Sequence, residues 1–125
     1  MRVGFLKIRA EKFFNNAKKL LEEKDYEISA FCFEQSAQLL LKHYLFVKLK
    51  DFPKIHSLTK LLKYLGKAYQ KEKVIEKFIN ENIAPIADLE EAYISSRYLP
   101  REFYKPQVEE MERFTEKLID FLKKL

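Results

Sequence analysis

Hydrophobic positions recur along this chain with the three-and-four spacing of helices, and they divide it into five helical segments. The first runs from about Ile8 to Glu23, with Ala10, Phe13, Phe14, Ala17, Leu20 and Leu21 on one face. Lys24 and Asp25 interrupt it, and Asp25 is placed to cap the next helix. That second helix is long, reaching about Leu49 before Asp51-Phe52-Pro53 ends it. Ser57 caps the third, whose stripe is Leu58, Leu61, Leu62 and Leu65, with Gly66 near its end. The fourth carries Ile75, Phe78, Ile79, Asn82, Ile86, Leu89, Tyr93 and Ser96. Pro85 removes a backbone donor inside it, which predicts a kink or a split. The fifth starts at Pro106 and turns Met111, Phe114, Leu118, Phe121 and Leu125 to one side. Glu109, Glu110 and Glu112 near its start and Lys123 and Lys124 at its end complement its macrodipole. No stretch alternates with the period of a strand, and no linker, repeat or low-complexity tract appears. With short connections throughout, the expectation is an all-α, antiparallel, up-and-down bundle of about five helices, one domain over residues 1–125.

The second segment departs from a simple amphipathic pattern. Tyr26, Ala30, Phe33, Ala37, Leu40, Leu41, Tyr44 and Leu45 make one apolar row, and Phe31, Cys32, Leu39 and Phe46 make another. A helix apolar around most of its circumference belongs in a core or an interface. Yet Glu34, Gln35, Ser36 and Gln38 stand in the middle of it. Polar groups buried there need partners, because leaving them unpaired is costly.

Composition adds boundaries. The 47% hydrophobic share of 125 residues supports a packed core without staples. The 34% charged fraction exceeds the usual quarter or so, mostly through Lys and Glu, a thermophile-like bias. The lone cysteine, Cys32, has no internal disulfide partner and reads as a small buried hydrophobe. No apolar run approaches the roughly 18 residues of a membrane span. Nor is there a signal-peptide core at the start, so a cytoplasmic location away from membranes is expected.

The net charge of +5 is unevenly placed: ten lysines lie between Lys42 and Lys77, against Asp51, Glu72 and Glu76. Lys60, Lys63, Lys67 and Lys71 fall on one helical face. That stripe suits phosphates or nucleic acid. The preferred reading is an ordinary solvated face, since only Tyr64 and Tyr69 are near it to stack bases.

Catalytic signatures are scarce. Two glycines cannot build a phosphate loop, and one cysteine with two distant histidines is not a zinc motif. There is no serine nucleophile elbow. Glu90-Glu91 and Glu109-Glu110 are neighbours in sequence and diverge on a helix. His43 reads as half-exposed, and His56 precedes Ser57-Leu58 at a helix entry, where a structural hydrogen bond is its ordinary task. Arg97, within Ser95-Ser96-Arg97-Tyr98-Leu99-Pro100-Arg101, either closes a helix or offers its planar donors to an anion.

Several of these pieces occur in an order that resembles the HEPN family of helical domains. They are Ala10-Glu11, Ala17 and Leu20-Leu21, then Tyr26, Ala30-Phe31-Cys32-Phe33-Glu34-Gln35-Ser36-Ala37-Gln38 and Leu41-Lys42. His56-Ser57-Leu58, Leu61, Tyr93 and Ser96-Arg97-Tyr98 follow. The resemblance implies a helical bundle that forms homodimers and pairs with a separately encoded minimal nucleotidyltransferase. It also implies nucleotide binding, or RNA cleavage by ribonuclease toxins of toxin–antitoxin pairs. Those ribonucleases share an arginine followed, after four to six residues, by a histidine. Here Arg97 supplies the arginine, but Glu102, Phe103 and Tyr104 occupy the histidine's places. A phenol, which ordinarily titrates far above neutral pH, is a poor substitute.

The expectation is therefore a non-catalytic binding module, with no metal and no cofactor. Arg97, Tyr98, Glu34, Gln35, Gln38 and His56 would meet a nucleotide or partner. The rival is a ribonuclease using Arg97 with Tyr104 or His56 as the proton carrier. The third alternative is a purely structural interaction bundle.

Overall fold

The computed structural model describes residues 4–125, which form six helices and, among those residues, no strand. They are α1 (Phe5–Glu22), α2 (Tyr26–Leu49), α3 (Leu58–Ala68), α4 (Glu72–Glu81), α5 (Ile83–Tyr98) and α6 (Lys105–Lys123). The protein is an all-α helical bundle. α2 is its axis, packing against α1, α3, α5 and α6. Phe33, Leu41 and Leu45 of α2 meet the leucine stripe of α3, Ile86 and Leu89 of α5, and Met111, Phe114 and Leu118 of α6 in one continuous core.

The closest pairing is α1 on α2. Ala10 and Ala17 of α1 are buried and small, so the backbones approach closely. Ser29 Oγ then donates to the Ala17 carbonyl at 2.7 Å and Ser36 Oγ to the Ala10 carbonyl at 2.8 Å. Two of the polar residues on α2 are thus ties to its neighbour's backbone.

Helix ends differ from expectation in instructive ways. α1 begins at Phe5, about a turn before Ile8. It ends through Lys24 in the left-handed region, which lets Asp25 N–H reach the Leu20 carbonyl at 2.9 Å. Asp25 does occupy the N-cap position of α2, but its carboxylate makes no capping hydrogen bond. Its backbone carbonyl accepts the Ser29 N–H instead. Ser57 caps α3 as expected, accepting the Lys60 N–H at 3.2 Å. Lys71 leaves the lysine stripe: α3 stops at Ala68, Gln70 turns left-handed, and Lys71 precedes α4.

The fourth segment is split, giving six helices. The break falls at Asn82, before Pro85, which becomes a first-turn residue of α5 where its missing N–H has no intrahelical partner to lose. Asn82 is buried and fixes the corner. Its Nδ2 donates to the Phe78 carbonyl at 2.8 Å, and Lys117 of α6 donates to its Oδ1 at 3.1 Å. α6 opens at Lys105 with Pro106 in its first turn. Gln107 Oε1 accepts the Tyr104 N–H at 3.0 Å.

Candidate site on the α2–α5 seam

The four polar residues that interrupt α2 do not share one role. Ser36 turns to α1, whereas Glu34 and Gln38 point to the opposite side of the helix, about 160° away at 100° per residue. Glu34 is completely enclosed, with 0% of its surface exposed. Both of its oxygens are held by amides: Gln35 Nε2 donates to Oε1 at 2.7 Å and Gln38 Nε2 to Oε2 at 2.8 Å. The chain continues outward, Lys42 Nζ donating to Gln38 Oε1 at 3.0 Å.

Arg97 stands across the seam, its guanidinium over the Phe31 ring one turn before Glu34 on α2, and makes no hydrogen bond or ion pair with Glu34 among the described residues. Burial pushes the Glu34 carboxyl up to about 7, while the amides, Arg97 and Lys42 pull it back. Burial lowers Lys42 from its usual range, and the Glu34 charge partly restores it. Arg97 itself is exposed, with Nε donating to the Tyr93 carbonyl at 2.8 Å. Its guanidinium carbon lies 4.2 Å from the Tyr93 ring centroid, 4.9 Å from Tyr98 and 5.4 Å from Phe31. The Tyr93 ring also carries His56, stacked at 4.3 Å and nearly parallel at 12°. A cation and two exposed rings, Tyr98 and His56, therefore gather around one tyrosine.

The loop that delivers His56 is fastened to α5. Ser57 and Thr59 hydroxyls each donate to Glu90, both at 3.1 Å. Glu90 is thus a clasp between helices, and its neighbour Glu91 pairs with Arg101 at 2.7 Å. Adjacent on α5, Ser96 Oγ is buried without a hydrogen-bond partner among the described residues.

The structure places Glu34, Gln35 and Gln38 in one hydrogen-bonded nest. Arg97 and Tyr98 stand on the facing helix, and His56 joins them through Tyr93. Tyr93, Phe31 and Lys42 belong to the same cluster and are absent from the sequence-based set. The spacing of Tyr93 and Arg97, one turn apart on one helix, was the available signal for the first. Nothing in sequence links Phe31 to Arg97. The places of the missing histidine lie between α5 and α6: Phe103 is buried in the core, and Tyr104 is 65% exposed.

The rest of the surface offers different features. A groove of about 450 Å³ runs between α3 and α4, with Lys63 and Lys67 on one wall and Glu72 and Glu76 on the other. None of the six candidate residues lines it. His43 lies edge-on to Tyr44. Among the described residues, no cluster of three or more potential metal ligands forms, and no helix is long and apolar enough to cross a membrane.

A family model described as the HEPN domain matches residues 3–125. The chain belongs to the HEPN domain family. No curated protein and no solved structure matches it. Membership extends from α1 to the end of α6, so the α2–α5 seam lies wholly within the HEPN domain. Relative to the ribonuclease pattern that the sequence resembles in part, this HEPN domain has Arg97 exposed and no histidine in the segment that follows it.

Proposed function

We propose that this HEPN domain is a non-catalytic binding module that takes a nucleotide on the Arg97–Tyr93–Tyr98 face. In this proposal the chain is a single domain over residues 1–125 that works in the cytoplasm as a homodimer beside a minimal nucleotidyltransferase. The observation that carries it is the exposed guanidinium set among aromatic rings. Among the described residues only Nε of Arg97 is committed to a hydrogen bond, leaving the remaining guanidinium donors for a phosphate. Tyr98, 71% exposed, and His56 offer flat faces on which a base can stack. Ile94 and Tyr98, one turn apart and both exposed, with Leu99 beyond them, extend the face with apolar surface suited to a protein partner.

Binding of adenine and guanine nucleotides, followed by calorimetry, tests the proposal. Arg97→Ala is expected to weaken binding by about ten- to a hundredfold, the loss of a charge-assisted hydrogen bond. Arg97→Lys should recover only part of it, since an ammonium lacks the planar fork. Absence of binding to the wild-type chain, or equal affinity in Arg97→Ala, would refute it. Dimerisation and partnership are read separately, by sedimentation and by co-purification with a nucleotidyltransferase.

One observation favours a second function, RNA cleavage. His56 shares the Tyr93 ring with Arg97, so a proton carrier stands near the cation despite the missing motif histidine. Under that alternative, Arg97→Ala and His56→Gln would each abolish cleavage of single-stranded RNA. RNA left intact by the wild-type chain excludes it.

A further inference from the structure

We propose that the enclosed Glu34 carboxyl is coupled to anion binding at Arg97, so that a phosphate arriving at Arg97 is taken up together with a proton on that carboxyl. This rests on the nucleotide-binding function proposed above and adds to it a buried partner and a linked proton.

The nest around Glu34 can hold either protonation state. As a carboxylate it accepts two amide N–H groups. As a carboxylic acid it needs one acceptor. Gln38 does not supply it, because turning its amide over would set its NH2 group against the Lys42 ammonium. Gln35 can: it is only half-buried, and its carbonyl has no protein donor among the described residues. Turning that one amide over offers its oxygen to a Glu34 O–H. The proton comes from solvent and rests on Oε1, and no covalent bond is made to the anion.

The charges acting on Glu34 are few. Arg97 reaches over from α5, its guanidinium 5.4 Å from the Phe31 ring one turn before Glu34, and Lys42 on α2 joins through Gln38, while among the described residues α1, α3 and α6 contribute none. The Tyr93 and His56 rings lie against each other, and Arg97 covers the same tyrosine. A phosphate on Arg97 cancels the larger of the two attractions that keep Glu34 ionised in a buried setting. Since Glu34 already titrates at about 7, the carboxylate responds by taking a proton near neutral pH. Linkage requires the reverse as well: protonating Glu34 leaves Arg97 uncompensated and a stronger anion binder.

The expected size follows from the linkage. If the anion raises the Glu34 midpoint by about one pH unit, binding takes up roughly half a proton at about pH 7.5. Affinity then falls about tenfold between roughly pH 6 and pH 9.

The test uses adenylyl-adenosine, whose single phosphodiester keeps its charge across this range. Calorimetry in buffers of different ionisation enthalpy gives the protons taken up by the wild-type chain, Glu34→Gln and His56→Gln. The wild-type chain and His56→Gln should both take up protons, and Glu34→Gln should bind with a flat pH profile and none. Binding by the wild-type chain without proton uptake overturns the inference and leaves the nucleotide site standing. So does uptake that persists in Glu34→Gln, or that vanishes in His56→Gln at dinucleotide concentrations that saturate this weaker-binding variant. Failure of every nucleotide to bind overturns the site itself, and the inference with it. The Glu34 side-chain carboxyl carbon, followed by carbon NMR in the wild-type chain, must move towards the protonated position on adding the dinucleotide. An unmoved signal is equally decisive against the inference, and it needs no variant to fold.

Discussion

Replacing Glu34 by Gln should change how this protein's stability depends on pH, and the direction can be worked out. In the unfolded chain the glutamate titrates near 4.5, and in the folded chain near 7. Between those values the native state holds a proton that the unfolded state has released. Raising the pH across this window therefore favours unfolding. The gap of about 2.5 pH units, at 1.36 kcal/mol each, amounts to about 3 kcal/mol. That is a large share of the roughly 5–15 kcal/mol typical of a domain. Glu34→Gln keeps the shape and removes the titration, and its new N–H group finds an acceptor when the half-buried Gln35 amide turns over.

Urea denaturation of both proteins at intervals from about pH 4.5 to 8.5 reads the effect. Asp88 and Glu112 are also held above their usual range by burial, and they add to the slope of both curves. The difference between the curves isolates Glu34. Relative to the wild-type chain, Glu34→Gln should gain about 3 kcal/mol over this range, or very roughly 10 °C in melting temperature. Parallel curves would mean that Glu34 is not in the desolvated setting described. A gap of opposite sign would mean that the attraction of Arg97 and Lys42 outweighs burial.

Three further substitutions test the scaffold. Ser36→Ala removes the tie to the Ala10 carbonyl and should cost about 1 kcal/mol in chemical denaturation, with nucleotide affinity unchanged. Gln70→Gly should raise stability by about 1 kcal/mol, because Gln70 holds a φ of 57° that only glycine adopts freely. Gly66→Leu should lower stability by about 1–3 kcal/mol, measured as a shift in the urea midpoint: even a Cβ there would stand 3.2 Å from the Glu72 Cα and 3.3 Å from Ile75 Cγ1.

The helices were legible because their apolar stripes are long and regular; the leucines of α3 and the Met111–Phe114–Leu118 row of α6 left little choice. Their ends were less so. Lys24, Lys50 and Gln70 terminate helices in the left-handed region, where glycine is the usual marker and none of the three positions carries one. Asp25 has the composition of a cap without the geometry, since its backbone at the α1–α2 corner is set by the turn through Lys24. Pro85 signalled a break, but the corner formed at Asn82, where a buried side chain can satisfy both α4 and α6. For the site, Arg97 and the α2 polar residues stood out as polarity in apolar settings. Tyr93 did not, because an aromatic residue on a buried-looking stripe resembles core. His56 reaches Tyr93 across some 37 residues of chain, through the clasp of Ser57 and Thr59 on Glu90. No local pattern encodes such a contact.

The two sides of α2 show how buried polarity separates into scaffold and site. Ser29 and Ser36, seven residues apart, end on backbone carbonyls of α1, and nothing lies beyond those bonds to respond to a ligand. The network on the other side is open. It runs from Lys42 through Gln38 to Glu34, and Arg97 stands across the seam as a cation in contact with solvent. A closed pair can only add stability, whereas a buried carboxylate facing a solvent-accessible guanidinium has its charge tied to whatever occupies that cation. If α2 kept Glu34 for stability alone, an enclosed carboxylate that burial pushes to about 7 would be a poor choice beside a serine or a leucine. Its cost to the fold is intelligible under the proposal that Glu34 serves anion binding at Arg97 as well as the core.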